Sequence, residues 1–325
     1  MIVWLIYALV RAVDWLLAGA DPDRALSIAR RLGRLMYRFY GRGRRRALEH
    51  LRAAYPDKDD AWVETTARRS FEHLVMMVFD VFMAPHLLHK HELERYFEVD
   101  WQEFLPVIRW IVEKRAIIMV TGHYGSFDVL GFSLTSFGLK MYSINRPLDN
   151  RPVNDFLRQM REKHGHVIID KKGAAGMMTE VLSTGNILGL VADQNGSRKD
   201  VFVDFFGRKA ATYKSIGLLA MRYNCPVVVG YCRRLDDRFR FEIRISRIIR
   251  PEQWEQQDNP LAWITQEYTR GIEDFVRKDP EQYWWLHRRW KTRPPEERGR
   301  NDSVIRKEPQ IAQISQSKVQ ESTNS

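Results

Sequence analysis

Thr121-Gly-His-Tyr-Gly-Ser-Phe-Asp128 follows a short apolar run, Ala-Ile-Ile-Met-Val at 116–120, and precedes a stretch in which Val129, Leu130, Phe132, Leu134 and Phe137 recur as far as Gly138. A continuous apolar run of that length reads as a buried strand. Ser126 reads as the N-cap of a helix that stops at Gly138. His123 therefore falls where a strand ends and a helix begins, the edge of an open α/β sheet at which ligands bind. On one regular helix, His123 and Asp128 would stand about 140° apart, so a loop leading into a helix is needed for the carboxylate to fold back onto the imidazole. Paired in that way, Asp128 orients the ring and stabilises the imidazolium while the other ring nitrogen takes a proton from a hydroxyl. A structural histidine near a helix start is the blander reading. The strand-to-helix setting is what favours chemistry.

The chain has 325 residues and carries 52 basic against 41 acidic side chains, a net charge of +11. That length allows one large domain or two smaller ones. The excess of positive charge points to nucleic acid, anionic membrane, or acidic substrates and carriers. Cys225 and Cys232 match no zinc spacing and cannot build a disulfide framework, which favours a reducing compartment. His86, His89 and His91 surround a Pro-interrupted turn without metal-ligand geometry, so they read as solvated and no metal is expected. No phosphate loop, dinucleotide glycine fingerprint or Gly-x-Ser-x-Gly elbow is present.

Residues 2–20 are apolar apart from Arg11 and Asp14, which are three apart and so placed to pair on a helix. As a helix they would extend about 28 Å, close to the bilayer core. No positive n-region precedes them, so residues 1–20 read as a retained membrane anchor rather than a cleaved signal, with a soluble core helix as the alternative. Asp21-Pro22 then opens a helix with Leu32, Leu35, Met36, Phe39 and Tyr40 on one side and Ser27, Arg31, Arg34 and Arg38 on another. Arg42, Arg44, Arg45 and Arg46 follow, and an arginine cluster beside an apolar anchor reads as attraction to anionic lipid on the cytoplasmic side. Residues 21–100 form this basic helical region, with a break at Pro56.

From 101 to 295, apolar runs at 139–144, 166–170, 187–192 and 226–232 alternate with helical stretches at 151–164, 174–184 and 213–224. This alternation predicts an α/β domain, a largely parallel sheet with covering helices. Alternation at 239–245 after Asp236-Asp237 predicts a strand that turns back antiparallel on 226–232, and a helix follows at 261–277. Residues 296–325 turn polar and lose periodicity, the pattern of a disordered tail.

Four further stretches carry a resemblance: Asn145-Arg-Pro-Leu-Asp-Asn150, Ala192-Asp-Gln-Asn-Gly-Ser-Arg198, Val201-Phe-Val-Asp-Phe-Phe-Gly207 with Ala210-Ala-Thr212, and Pro280-Glu-Gln-Tyr-Trp-Trp-Leu-His-Arg-Arg-Trp-Lys-Thr-Arg-Pro294. With the His-x4-Asp box, and in this order, they resemble the bacterial lipid A late acyltransferases of the lysophospholipid and glycerolipid acyltransferase superfamily, over residues 1–294. The resemblance implies a membrane-associated O-acyltransferase on the cytoplasmic face of the inner membrane. It would move a fatty acyl group from an acyl-carrier-protein or coenzyme A thioester to a glycolipid hydroxyl, with no other cofactor. Carried over by position, His123 is the general base and Asp128 its partner, while Arg146, Asp193 and Arg198 fall in substrate-binding blocks. Backbone N–H groups after His123 are the oxyanion donors expected of the helix start. Many of these enzymes carry Glu where this chain has Asp128, which leaves a phosphatidylinositol mannoside, ornithine lipid or glycerolipid open as acceptor. A lipid-binding protein without catalysis would not need the His-x4-Asp pair. Nucleic-acid binding rests on charge alone, and the basic residues cluster beside the apolar terminus.

Arg198 follows the turn-rich 193–197 loop after the run 187–191, at the same sheet edge as His123 if both strands run parallel. Arg198→Lys is expected to raise KM for a phosphorylated substrate more than it lowers kcat, because lysine reproduces a bidentate contact poorly. Arg198→Ala should cost about 1.5–3 kcal/mol in kcat/KM. A lower melting temperature with unchanged KM for donor and acceptor would instead make Arg198 a loop brace.

Overall fold

The computed structural model describes residues 2–88, 92–163, 165–170 and 173–297. Four helices come first: α1 (Ile2–Ala18), α2 (Pro22–Phe39), α3 (Gly41–Ala54) and α4 (Asp60–Leu87). The single-turn α5 (Leu93–Tyr96) leads into β1 (Phe97–Val99) and α6 (Trp101–Val112). The alternating part runs β2 (Ile117–Thr121), α7 (Phe127–Ser136), β3 (Met141–Asn145), α8 (Arg151–Glu162), β4 (His166–Asp170), α9 (Ala174–Ser183) and β5 (Ile187–Val191). It closes with β6 (Val201–Phe205), β7 (Arg208–Thr212), α10 (Ser215–Tyr223), β8 (Val227–Arg234), β9 (Phe241–Ile249), α11 (Pro251–Trp254) and α12 (Pro260–Lys278).

Seven strands form one sheet in the order β1-β9-β8-β2-β5-β3-β4, parallel except between β8 and β9. The expected parallel sheet with covering helices and the antiparallel return are both present. The edge strand β1 lies ahead of residue 101, where the alternation was expected to begin. The hairpin β6–β7 stands apart from the sheet. It turns through Phe206 and Gly207, both at positive φ (52° and 67°), the backbone of a two-residue hairpin turn.

Chain direction at the middle of the sheet decides where a site can lie. The crossover from β2 passes through α7 to β3, beyond β5. The crossover from β5 passes through the hairpin and α10 to β8, beyond β2. The connections from these two neighbours leave in opposite directions, which makes the gap between their carboxyl ends the topological switch point.

The helical region is not a separate body. Tyr37, Ala47, Leu51, Val63 and Phe71 share one buried cluster with Ile118, Val120 and Leu188 of the sheet. Asp21 caps α2 by accepting from the Arg24 N–H at 2.9 Å, with Pro22 in the first turn, as expected. The buried face of α2, however, is Ala25, Leu26, Ala29, Gly33 and Tyr37. Small residues let it approach α4 closely; a Cβ on Gly33 would collide with the backbone of Glu72. Leu32, Leu35, Phe39 and Tyr40 are left exposed. Arg11 and Asp14 do not pair. The Arg11 guanidinium reaches the Tyr7 hydroxyl and lies 4.8 Å from the Phe156 ring centroid, whereas Asp14 meets His86 at 3.2 Å. No helix among the described residues is long and apolar enough to cross a membrane. His89, His91 and the tail beyond Glu297 lie outside the described residues.

Candidate active site

The site follows from the register of two strands. β2 and β5 pair in parallel with Thr121 opposite Val191, so Gly122-His123 and Ala192-Asp193 emerge side by side at the switch point. The Ala192 N–H continues the ladder to the Thr121 carbonyl at 2.9 Å. One step further, His123 Nδ1 lies 2.7 Å from Asp193 Oδ1, and the His123 backbone N–H donates to Asp193 Oδ2 at 2.9 Å. Both carboxylate oxygens are thus engaged by one residue. Asp193 is 1% exposed and His123 9%. Burial pushes the Asp193 pKa up, but the His123 charge and hydrogen bonds, helped by His287, prevail and hold it well below the usual carboxylate range. An anionic Asp193 fixes the proton on Nδ1 and leaves Nε2 as the basic nitrogen.

This revises two expectations. Asp128 does not fold back onto the imidazole: it sits in the first turn of α7, and its Oδ1 accepts from Arg161 Nη2 at 2.9 Å and Nε at 3.2 Å, tying α7 to α8. Asp193, expected among substrate-binding residues, is closed off by His123 instead. Local hydrogen bonding explains the rest of the loop. Gly125 has φ of 55°, and a Cβ there would collide with the Cys232 carbonyl. The Tyr124, Gly125 and Ser126 amides are all spent on backbone carbonyls, those of Gly122, Gln282 and Cys232. Among the backbone amides after His123, those left as oxyanion donors are therefore in the first turn of α7, whose amides have no carbonyl four residues back within the helix. Ser126 occupies the N-cap position but makes no side-chain cap; its hydroxyl donates to Asp80.

Asp80 and Arg234 form a buried ion pair behind the loop, with Asp80 0% and Arg234 2% exposed. Gln282 clasps Arg234 through backbone on both sides, accepting from its N–H at 2.9 Å and donating to its carbonyl at 3.0 Å. The Trp284 N–H donates to the His123 carbonyl at 3.0 Å. Arg289, 1% exposed, donates to the carbonyls of Gln194 and Ala211, and Thr292 exchanges hydrogen bonds with Asn195. The aromatic and basic 280–294 segment is therefore mostly packed structure that holds both loops of the pair in place. Its importance for the site was not visible as chemistry in the sequence.

One hollow reaches His123 and a second lies beyond Phe127. A narrow cleft is lined by His123, Ser70, His73, Leu74, Met77 and Phe127. An apolar cavity of about 640 Å³, open mouth included, is lined by Met119, Leu130, Leu134, Met141, Ile144 and Leu190, with Asp128, Arg161 and Asn145 among its polar residues. Phe127 borders both, and its ring centroid is 5.0 Å from that of His123. His287 stacks on His123 at 5.9 Å. Arg146 and Arg198 are exposed at the ends of β3 and of the loop after β5, and neither forms an ion pair among the described residues. No group of three or more possible metal ligands occurs among the described residues. Cys225 and Cys232 are free and buried.

A carboxylate-oriented histidine at the switch point of a parallel sheet is an arrangement suited to taking a proton from a hydroxyl, as in enzymes of the acyl-transfer class. Sequence comparison narrows the class: residues 1–292 match the bacterial lipid A biosynthesis acyltransferases, and the chain belongs to that family and is an acyltransferase. It is 26% identical to the lipid A biosynthesis lauroyltransferase of Escherichia coli K12, over 81% of this chain and 84% of that one. With the myristoyltransferase of the same organism identity is 27%, over 86% and 85%. With its palmitoleoyltransferase it is 23%, over 87% and 90%.

Burial, the largest influence on each, pushes His50, His166 and His287 down to about 4 from 6.5. Between pH 6.5 and 4 the unfolded chain binds protons there that the folded chain refuses. Stability is therefore complete above about pH 6.5 and falls as pH drops toward 4, by up to about 1.4 kcal/mol per pH unit per histidine. Melting followed from pH 7.5 to 4.5 should show this decline, and His166→Gln should flatten it. An unchanged slope in that variant would show that His166 does not contribute.

Proposed function

We propose that the protein transfers a fatty acyl group from a thioester to a hydroxyl of a lipid A precursor, with His123 as general base and Asp193 as the group that orients it. The hydrogen-bonded His123–Asp193 pair at the switch point carries this reading. Nε2 takes the acceptor's hydroxyl proton as the oxygen attacks the thioester carbonyl. The tetrahedral intermediate collapses, the carbon–sulfur bond breaks, and the thiolate recovers the proton from the imidazolium. Asp193 stabilises that cation without taking its proton, and no acyl-enzyme is needed. The first turn of α7 offers amide donors and the positive end of its dipole to the oxyanion.

The cavity has the apolar lining of a site for a hydrocarbon chain. Phe127, between cavity and cleft, would let the thioester carbon reach His123 while the chain lies beneath. Asp128 in this scheme braces the cavity mouth through Arg161. The donor is an acyl-carrier-protein or coenzyme A thioester, and the relatives named for lipid A favour that acceptor over a glycerolipid or ornithine lipid.

The membrane reading is interfacial. α1 exposes Ile2, Trp4, Leu5, Leu9, Trp15 and Leu16, and α2 adds Ile28, Leu32, Leu35 and Phe39. Arg31, Arg34, Arg38, Arg42, Arg44 and Arg45 are exposed alongside, without carboxylate partners among the described residues. An apolar face with a basic margin lies in the headgroup region of the cytoplasmic leaflet of the inner membrane and draws on its anionic lipid.

His123→Ala should abolish transfer with the melting temperature preserved. Asp193→Asn should lower kcat by about 10²–10⁴ through loss of ring orientation, and Asp128→Asn should do less. Near wild-type turnover by purified His123→Ala would sink the mechanism; a larger loss in Asp128→Asn than in Asp193→Asn would return the pairing role to Asp128. Deleting residues 1–20 should leave a protein that floats with anionic vesicles at low salt and is released at high salt. Full retention in high salt would place the anchor elsewhere.

A further inference from the structure

Arg46 of α3, Arg208 at the start of β7, and Arg288 and Lys291 of the C-terminal segment converge on one surface pocket with His50 and Trp290. Glu49 is its one carboxylate, against four permanent cations. Half-buried arginines elsewhere meet a carboxylate: Arg69, Arg158, Arg161, Arg233, Arg247 and Arg293 each do so. None of the four pocket cations does, among the described residues. Two of them, Arg46 and Arg208, are nevertheless held in place. Arg46 Nη1 donates to the Leu286 carbonyl at 3.0 Å, and the Arg208 guanidinium lies 5.2 Å from the Trp290 ring centroid. Trp290 is 5% exposed and meets His50 edge-on at 5.0 Å. Burial and then Arg293 lower the Arg208 pKa, outweighing the opposing pull of Glu297.

The pocket is also tied to the site. Arg288 follows His287, which stacks on His123, and His50 Nδ1 donates to the Trp285 carbonyl at 3.0 Å. Fixed, unpaired guanidinium groups suit a phosphate ester, whose oxygens accept bidentate hydrogen bonds. We infer that this pocket binds a phosphate ester of one of the two substrates and anchors that substrate with its reacting end at His123. Its catalytic role rests on the function proposed above; its binding does not. The phosphate is that of the donor's pantetheine arm or that of a phosphorylated sugar.

The test is calorimetric binding to the full-length protein, which needs no turnover. Probes are 4′-phosphopantetheine, pantetheine, glucosamine 1-phosphate, glucosamine and inorganic phosphate, each titrated into wild type and Arg208→Gln/Arg288→Gln. One phosphorylated probe should bind at least tenfold more tightly than both its dephosphorylated form and inorganic phosphate, and the double variant should erase the difference. Which probe does so identifies the substrate. If the double variant melts early, the exposed Arg288→Gln and Lys291→Gln single variants carry the test, each with a threefold or greater loss. Binding of both phosphorylated probes by a stable double variant as by wild type would overturn the inference. So would inorganic phosphate binding as tightly as either ester. In transfer assays the loss should appear as a raised KM for the one substrate; a fall in kcat alone would make these residues structural. Phosphate-dependent binding by a wild-type protein that transfers no acyl group would refute the proposed function and leave the site standing.

Discussion

The hydrogen bond between His123 and Asp193 depends on one geometric constraint, the parallel register of β2 against β5. Both residues lie two positions beyond a paired residue, so the ladder brings imidazole and carboxylate together without help from a flexible loop. A one-residue slip would turn each side chain to the opposite face of the sheet. The buried strand residues Ile117, Ile118, Leu188 and Val228 therefore set the site's geometry as well as the core's stability. A buried carboxylate held ionised by a neighbouring ring is costly unless its oxygens are satisfied, and here the ring and backbone of one residue supply both donors.

Around that pair the protein uses its polar groups as clamps. Asp80 and Arg234 are buried together and reach the loop through Ser126; Gln282 and Trp284 bind the same loop from the C-terminal side. Arg289 holds the Asp193 loop to the β6–β7 hairpin. The helical region adds Ser70, His73 and Met77 to the cleft wall, so the site is composite between chain segments far apart in sequence. Rigid support of this kind is what orientation-dependent proton transfer requires.

The unneutralised charge is distributed unevenly. Many arginines of the alternating domain are paired, as are Arg30 of α2 and Arg52 of α3, whereas among the described residues Arg31, Arg34, Arg38, Arg42, Arg44 and Arg45, and Arg46, Arg208 and Arg288 around Trp290, have no carboxylate partner. The first set borders exposed apolar residues on α1 and α2, and the second borders the site. A lipid-modifying enzyme has two anions to meet, a membrane surface and a phosphorylated substrate, and the two unpaired sets match that division.

Local pattern was enough to read the architecture. Strands and helices from 117 to 278 lie close to where apolar runs and periodicity put them, because a buried parallel strand must be continuously apolar and a covering helix must be amphipathic. His123 at a strand end was equally legible, and the order of the motifs pointed to the family that residues 1–292 match. The β6–β7 hairpin escaped because its turn uses Phe206 where Asn or Asp would mark it. The face of α2 that packs was not legible, because its small residues fit against α4 while its larger apolar ones are left outside. The partner of His123 could not be read locally: Asp128 is nearest in sequence, but strand order, which no local pattern encodes, puts Asp193 beside the ring and Arg161 beside Asp128. Sequence determined which residues could do chemistry; only the pairing of β2 with β5 decided which of them meet.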